Sequence, residues 1–172
     1  MLELFHRGQS CISINPDSGH GQRQFEDFIA SNFGNDLRGR PRLMQMKEKA
    51  YSDQSTPLIS IASHASLYTF ADATGTAPSN RRFRINIITD AYTGFSETNM
   101  IGQTFQCGKA QIEVQKAVGR CAAINVDPKT ALRGDKDFVR LMKKKFGHSQ
   151  LGVFAKVIKG GEIKVGDVLL PI

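Results

Sequence analysis

The sequence predicts an α+β domain, a mostly antiparallel β-barrel with about three helices. Short apolar segments recur along most of the chain, separated by turns containing Gly, Asp or Pro. Only a few stretches between them carry apolar residues at helical spacing. The regular alternation of strands with long helices that a doubly wound parallel sheet needs is missing.

The elements follow in chain order. "LELF" and "CISI", separated by "HRGQS", predict a hairpin at the start, and "NPDSGHG" is loop. "QRQFEDFIASNF" places Phe25, Phe28, Ile29 and Phe33 on one helical face, with Gly34 as a stop. "RPRLMQM" (40–46) reads as a strand entered through Pro41. "PLISIAS" (57–63) predicts a buried strand, "HASLYTFADATG" (64–75) a helix ending at Gly75, and "APSNR" a loop. "RFRINIITD" (82–90) reads as a strand with Phe83, Ile85 and Ile87 on one face, Arg84 and Asn86 on the other. "TFQCGKAQIEVQKA" (104–117) is a hairpin turning at Gly108-Lys109, and "CAAINV" (121–126) a strand stopped by Asp127-Pro128. "DKDFVRLMKKKFG" (135–147) predicts a helix capped by Asp135, with Phe138, Leu141, Met142 and Phe146 inward. The tail from Leu151 reads as three short strands turning at Gly160-Gly161 and Gly166-Asp167. Residues 1–24 are expected to form an N-terminal hairpin and loop, and residues 25–172 the barrel domain.

With 172 residues, 40% hydrophobic and 23% charged, the chain has enough apolar material for a core without disulfides or structural metals. No apolar run reaches bilayer length, so no membrane span is expected, and "MLELFHRGQS" lacks the pattern of a signal peptide. The three cysteines, Cys11, Cys107 and Cys121, form no CxxC pair, which argues against a disulfide framework or an all-cysteine zinc site. A reducing, cytoplasmic setting is expected. The net charge of +7 points to an anionic partner. Trp is absent, and no stretch interleaves cations with the aromatic rings that single-strand binding uses, so nucleic acid is not expected.

Polar and cationic groups gather at three boundaries of apolar segments. Arg84 and Asn86 lie in "RFRIN", and Arg120 and Cys121 head "CAAINV". Ser63, His64 and Ser66 stand where a strand enters a helix, whose first-turn N–H groups suit a phosphate. A thiolate beside fixed cations suits a soft metal carried by an anionic ligand. Cys121 is the first candidate functional residue, and the four groups Cys121, Arg120, Arg84 and Ser63–Ser66 are expected to line one cleft. The alternatives at this point are Cys121 as a small packing residue, Arg84 as a surface strand residue and Ser63 as an ordinary helix cap.

These segments resemble a known family. "RRFRINIIT", then "IEVQKAVGRCAAINVDPKT", then "LGVFAKVIKGGEIKVGDVL" resemble the MOSC domain, named for the C-terminal domain of molybdenum-cofactor sulfurase; the amidoxime-reducing components belong to the same superfamily. The resemblance implies a MOSC-type barrel that binds molybdenum–molybdopterin. It implies Cys121 as metal ligand and catalytic residue, Arg84, Asn86 and Arg120 near the cofactor's phosphate and pterin, and Phe154 as an aromatic contact. The implied activity is reduction of small N-hydroxylated substrates, with electrons from a separate electron-transfer protein. No flavin, haem, iron–sulfur or pyridoxal phosphate site is expected. The same cysteine would serve a sulfur carrier through a persulfide, and a non-catalytic basic binding domain would use the charge alone. The chain departs from relatives in having "AAIN" where they carry threonines before Val-Asp-Pro. It also has no match to their upstream Lys-Ser pair and arginine.

Overall fold

Strand β3 (Ile59–Ser63) shows how the larger unit is built. Successive strand residues face opposite ways, and here both faces are buried. Ile61 enters one apolar cluster, with Phe105, Ile112, Val114, Val153 and Ala155. Ala62 enters another, with Leu67, Phe70, Phe83, Ile124, Phe138, Met142 and Leu151. A strand covered on both faces reads as a continuous apolar run, which is what "ISIAS" is.

The computed structural model describes residues 1–6, 8–45, 54–90 and 93–172. The chain divides into two compact units, 1–49 and 50–172. In the first, β1 (Leu2–His6) and β2 (Gln9–Ile14) form the expected antiparallel hairpin. Helix α1 (Gly19–Phe33) follows, its N-terminus capped by Ser18, whose Oγ accepts the Gly21 N–H at 3.0 Å. The apolar face predicted for it is only partly buried, and Phe33 is exposed. Glu26 is buried instead, because its Oε1 accepts the Leu43 N–H at 3.0 Å. That bond belongs to a loop: residues 40–45 form no strand, correcting the expectation for 40–46, and Met46 lies outside the described residues.

In the second unit a curled six-stranded half-barrel has the order β4-β3-β7-β6-β5-β8. Its further strands are β4 (Ile87–Thr89), β5 (Thr104–Cys107), β6 (Ala110–Gly119), β7 (Gln150–Lys159) and β8 (Leu169–Pro171). Only β3 and β4 pair in parallel, joined through α2 (His64–Thr74) and the one-turn helix α3 (Asn80–Phe83). The mixed α+β, barrel-like class expected from the sequence is what the chain adopts. Helix α2 ends at Gly75, whose φ of 62° lies in the left-handed region that glycine enters cheaply. Helix α4 (Phe138–Phe146) buries Phe138 and Met142 against α2, with Phe70 meeting Phe83 and Phe138 edge-on at 4.8 and 5.4 Å.

Four further local expectations are corrected. Residues 82–86 are not strand: Ser79 caps α3, and Arg84 ends it with φ of 53°. Residues 121–126 form a 3-10 turn over Ala122–Asn125. Ile124 and Asn125 are both buried, which alternation cannot achieve for neighbours in a one-sided strand. Helix α4 is capped by Asp137 rather than Asp135, and the Asn125 side chain accepts the Phe138 N–H at 3.0 Å. The tail contains two strands, not three: residues 160–168 cross the β5–β6 turn, where the Lys109 N–H donates to Glu162 O at 2.9 Å.

The segment after the 3-10 turn is braced by Asp127. Its Oδ1 accepts the Lys129 and Thr130 N–H groups at 2.8 and 3.1 Å, and its Oδ2 meets the Arg82 guanidinium at 3.2 Å. The Lys129 and Thr130 bonds, with a smaller contribution from Arg82, hold the carboxyl below its usual 3.8. A depressed carboxylate stabilises the fold above its unfolded value, and that contribution disappears as pH falls through the lower folded value. The Lys129 and Thr130 amide resonances are expected to titrate with a midpoint below pH 3.8. A midpoint at or above that value would show that the bonds do not hold the carboxylate.

Candidate functional site

The last rung of β6 delivers the Arg120–Cys121 pair. The Arg120 N–H donates to Ser149 O at 2.8 Å, and the chain then leaves the sheet. The Arg120 side chain turns inward. Its Nε donates to Leu151 O at 2.9 Å, its Nη2 bonds the same carbonyl, and its Nη1 donates to Phe83 O at 2.8 Å. The guanidinium also lies 5.3 Å from the centroid of the Phe83 ring. Burial pulls its pKa down to about 10, with Cys121 and Glu97 pulling the other way, so Arg120 is charged at neutral pH. Cys121, by contrast, is exposed.

Beside this clamp lies a buried carboxylate that sequence reasoning missed. Glu97, 1% exposed, stands in a 3-10 turn over Ser96–Met100. Its Oε2 accepts the Ser66 hydroxyl at 2.7 Å and lies 3.1 Å from the Ser63 hydroxyl. Its Oε1 accepts the Gly152 N–H at 3.1 Å. Ser63 also caps α2, accepting the Ser66 N–H at 3.0 Å, and Ser66 Oγ accepts the Phe95 N–H at 2.6 Å. Gly152 joins the network to Arg120. It has φ of 81°, and a Cβ there would lie 2.6 Å from Ile61 O and 3.3 Å from Arg120 Nη2. No spacing pattern announces Glu97, a lone acid in "FSETNM".

The network gives each predicted residue a place. Ser63 and Ser66 are fully buried; Ser66 donates to Glu97, and the Ser63 hydroxyl lies within bonding distance of both Ser66 Oγ, at 2.9 Å, and Glu97. His64, one position on, is exposed, with Nδ1 2.9 Å from Asp90. Asn86 is committed to β3: its Oδ1 accepts the Ser60 N–H at 2.9 Å, and its own N–H donates to Ser60 O at 3.1 Å. Phe154 pairs across the sheet with Ser60, so it shares a face with the Ser60–Asn86 contact, and Lys116 lies 5.8 Å from its ring centroid. Arg84 follows Phe83, whose carbonyl Arg120 holds, and its backbone O accepts the Ser60 hydroxyl at 3.2 Å. Its side chain is exposed and has no hydrogen bond or ion pair among the described residues. Ser63 and Ser66 thus belong to the buried Glu97 network, and Arg120 lies beside it at Gly152, holding the carbonyl of Phe83, the residue before Arg84. Two open hollows, of about 270 and 240 Å³, are lined by neither Cys121 nor Arg84.

The three thiols differ in surroundings. Cys107 is buried, and burial first, then the charge of Asp167, raise its pKa above the usual 9.0. Cys11 and Cys121 are exposed. Alkylation at about pH 8 is expected to modify both before Cys107. Mass mapping in which Cys107 reacts first would contradict the burial described here.

The curled half-barrel with its packed helices defines a mixed α+β, barrel-like class of domain. Residues 48–170 match the MOSC domain, and the chain belongs to that family. No curated protein matches the sequence. Among solved structures, one titled as a hypothetical protein aligns with a TM-score of 0.51 and 20% identity, over 73% of this chain and 59% of its own. YiiM from Escherichia coli aligns with a TM-score of 0.49 and 20% identity, over 78% of this chain and 65% of its own. The chain therefore spans about three fifths of the length of these two structures. No helix among the described residues is long and apolar enough to cross a membrane.

Proposed function

We propose that this chain binds a molybdenum–molybdopterin cofactor with the Cys121 thiolate as protein ligand to the metal, and that it reduces small N-hydroxylated substrates. One observation carries the reading: within the family-matched segment, the exposed thiol follows directly on a half-buried, charged arginine. The donor set fits the group. No cluster of three or more His, Cys, Asp or Glu able to hold a metal occurs among the described residues. A metal that arrives in its own organic ligand and takes one thiolate from the protein suits that set. Arg84 supplies an unpaired exposed cation for the cofactor's phosphate, with Arg81, also exposed, in the same turn.

When bound, the group supplies a metal able to pass two electrons to the N–O bond. The chain's own residues have simpler tasks. Cys121 holds the metal, Arg120 attracts the thiolate electrostatically while its hydrogen bonds fix the turn, and Arg84 binds the anion. The electrons come from a separate electron-transfer protein.

Elemental analysis after expression in a host that makes the cofactor tests the reading. Stoichiometric molybdenum supports it. Labile sulfur without metal would replace it with a persulfide carrier on the same cysteine, and neither would leave a basic binding domain. Arg84→Ala is expected to weaken cofactor retention by about 1.5–3 kcal/mol, the range for a hydrogen bond to a charged group. The melting temperature should be almost unchanged, because the side chain is exposed and makes no hydrogen bond or ion pair among the described residues. Early melting with full retention would make Arg84 structural.

A further inference from the structure

The charge of the chain is concentrated in one segment. Residues 129–145 carry seven Lys or Arg against two Asp, a surplus of five in a chain whose surplus is seven. All seven cations are exposed, and none joins an ion pair among the described residues. Four of them, Arg140 and Lys143 to Lys145, stand on α4, whose opposite face is buried in the core.

The loop before α4 is cross-braced by hydrogen bonds and presents an apolar tip. Val126 and Arg133 pair as a β-bridge, the Asp127 N–H donates to Leu132 O at 2.8 Å, and the Ala131 N–H donates to Asp127 O at 2.8 Å. Asp127 ties the loop down from below through Arg82. Ala131 holds φ of 59°, a left-handed conformation that a non-glycine residue keeps only where its surroundings impose it. The loop exposes Leu132, at 70%, and Val126, at 38%. A fixed apolar centre within a charged rim is how protein interfaces are built, and preorganisation reduces the ordering cost of binding.

We propose that the 126–133 loop and the exposed face of α4 form a docking surface for an acidic protein partner. A phosphate backbone would meet the same cations. The centre of the patch, however, is an aliphatic side chain, and the aromatics of the segment turn inward: Phe138 is buried and Phe146 half-buried. No ring is offered for base stacking. The loop follows the Cys121 turn along the chain. That this partner is the electron donor rests on the cofactor reading; the surface itself does not.

The test uses the full chain without cofactor, labelled for NMR, and a synthetic acidic helix with leucine at every fourth position. Shifts are expected to be confined to residues 126–145, with affinity falling about tenfold between about 50 and 200 mM salt. Leu132→Ser should weaken binding about fivefold with the salt dependence unchanged, because it removes area and no charge. The double variant Lys143→Glu, Lys144→Glu should weaken binding and flatten the salt dependence. Cys121→Ser should alter neither, which separates failure of this surface from failure of the cofactor reading. Equal binding of a leucine-free polyglutamate peptide, indifference to Leu132→Ser, or tighter binding of duplex DNA or anionic vesicles overturns the proposal.

Discussion

Glu97→Ala is expected to destabilise the fold by about 2–5 kcal/mol, at about 1–3 kcal/mol for each buried donor left unsatisfied. The carboxylate is the acceptor for the Ser66 hydroxyl and the Gly152 N–H, and the Ser63 hydroxyl lies against it. It also opposes the charge of the half-buried Arg120 guanidinium. Removing it leaves the Ser66 hydroxyl and the Gly152 N–H without their acceptor in a buried region, while Ser63 can still donate to Ser66 Oγ at 2.9 Å. Glu97→Gln should cost less, about 1–3 kcal/mol, because the amide oxygen replaces one acceptor while the amide nitrogen faces donors. Urea unfolding monitored by circular dichroism reads both. A Glu97→Ala midpoint within error of the parent would show that water can take over the network, and that Glu97 does not hold the Arg120 turn in place.

The second large effect is expected at Cys121. Cys121→Ser should reduce molybdenum from stoichiometric to background, since a hydroxyl at neutral pH offers no soft anionic donor. Because Cys121 is exposed and has no side-chain hydrogen bond among the described residues, unfolding should move by less than about 0.5 kcal/mol, as for surface substitutions generally. Cys11→Ser and Cys107→Ser should retain the metal. If Cys121→Ser still binds molybdenum stoichiometrically, the thiol is not the ligand, whatever the activity of the variant.

Local sequence rules worked where they were self-contained. The hairpin at 2–14, the β5–β6 turn at Gly108-Lys109 and the α2 stop at Gly75 each follow from residues within one turn of one another. They failed where a side chain is claimed from far along the chain. "RFRIN" alternates like a strand, yet Arg82 reaches Ile124 O and Val126 O, and Arg120 takes Phe83 O, so the segment coils into α3. "CAAINV" has strand-like composition, yet Asn125 is needed at the N-terminus of α4. Propensity is a weak prior, and such long-range bonds outweigh it.

The same division runs through the candidate site. From the sequence alone came the α+β barrel class, the family's motifs and the choice of Cys121, because an Arg-Cys pair ahead of Val-Asp-Pro is a contiguous signal. The tertiary structure decided what each polar group is free to do. Ser63, Ser66 and Arg120 look like anion-binding residues in one dimension, but folding commits them to Glu97 and to the carbonyls of Leu151 and Phe83. Arg84 and Cys121 keep their functional groups exposed. The reason is the cost of burying a donor or acceptor without a partner: once β3, β6 and β7 close on one another, every polar group at their ends must find an internal acceptor or remain in water.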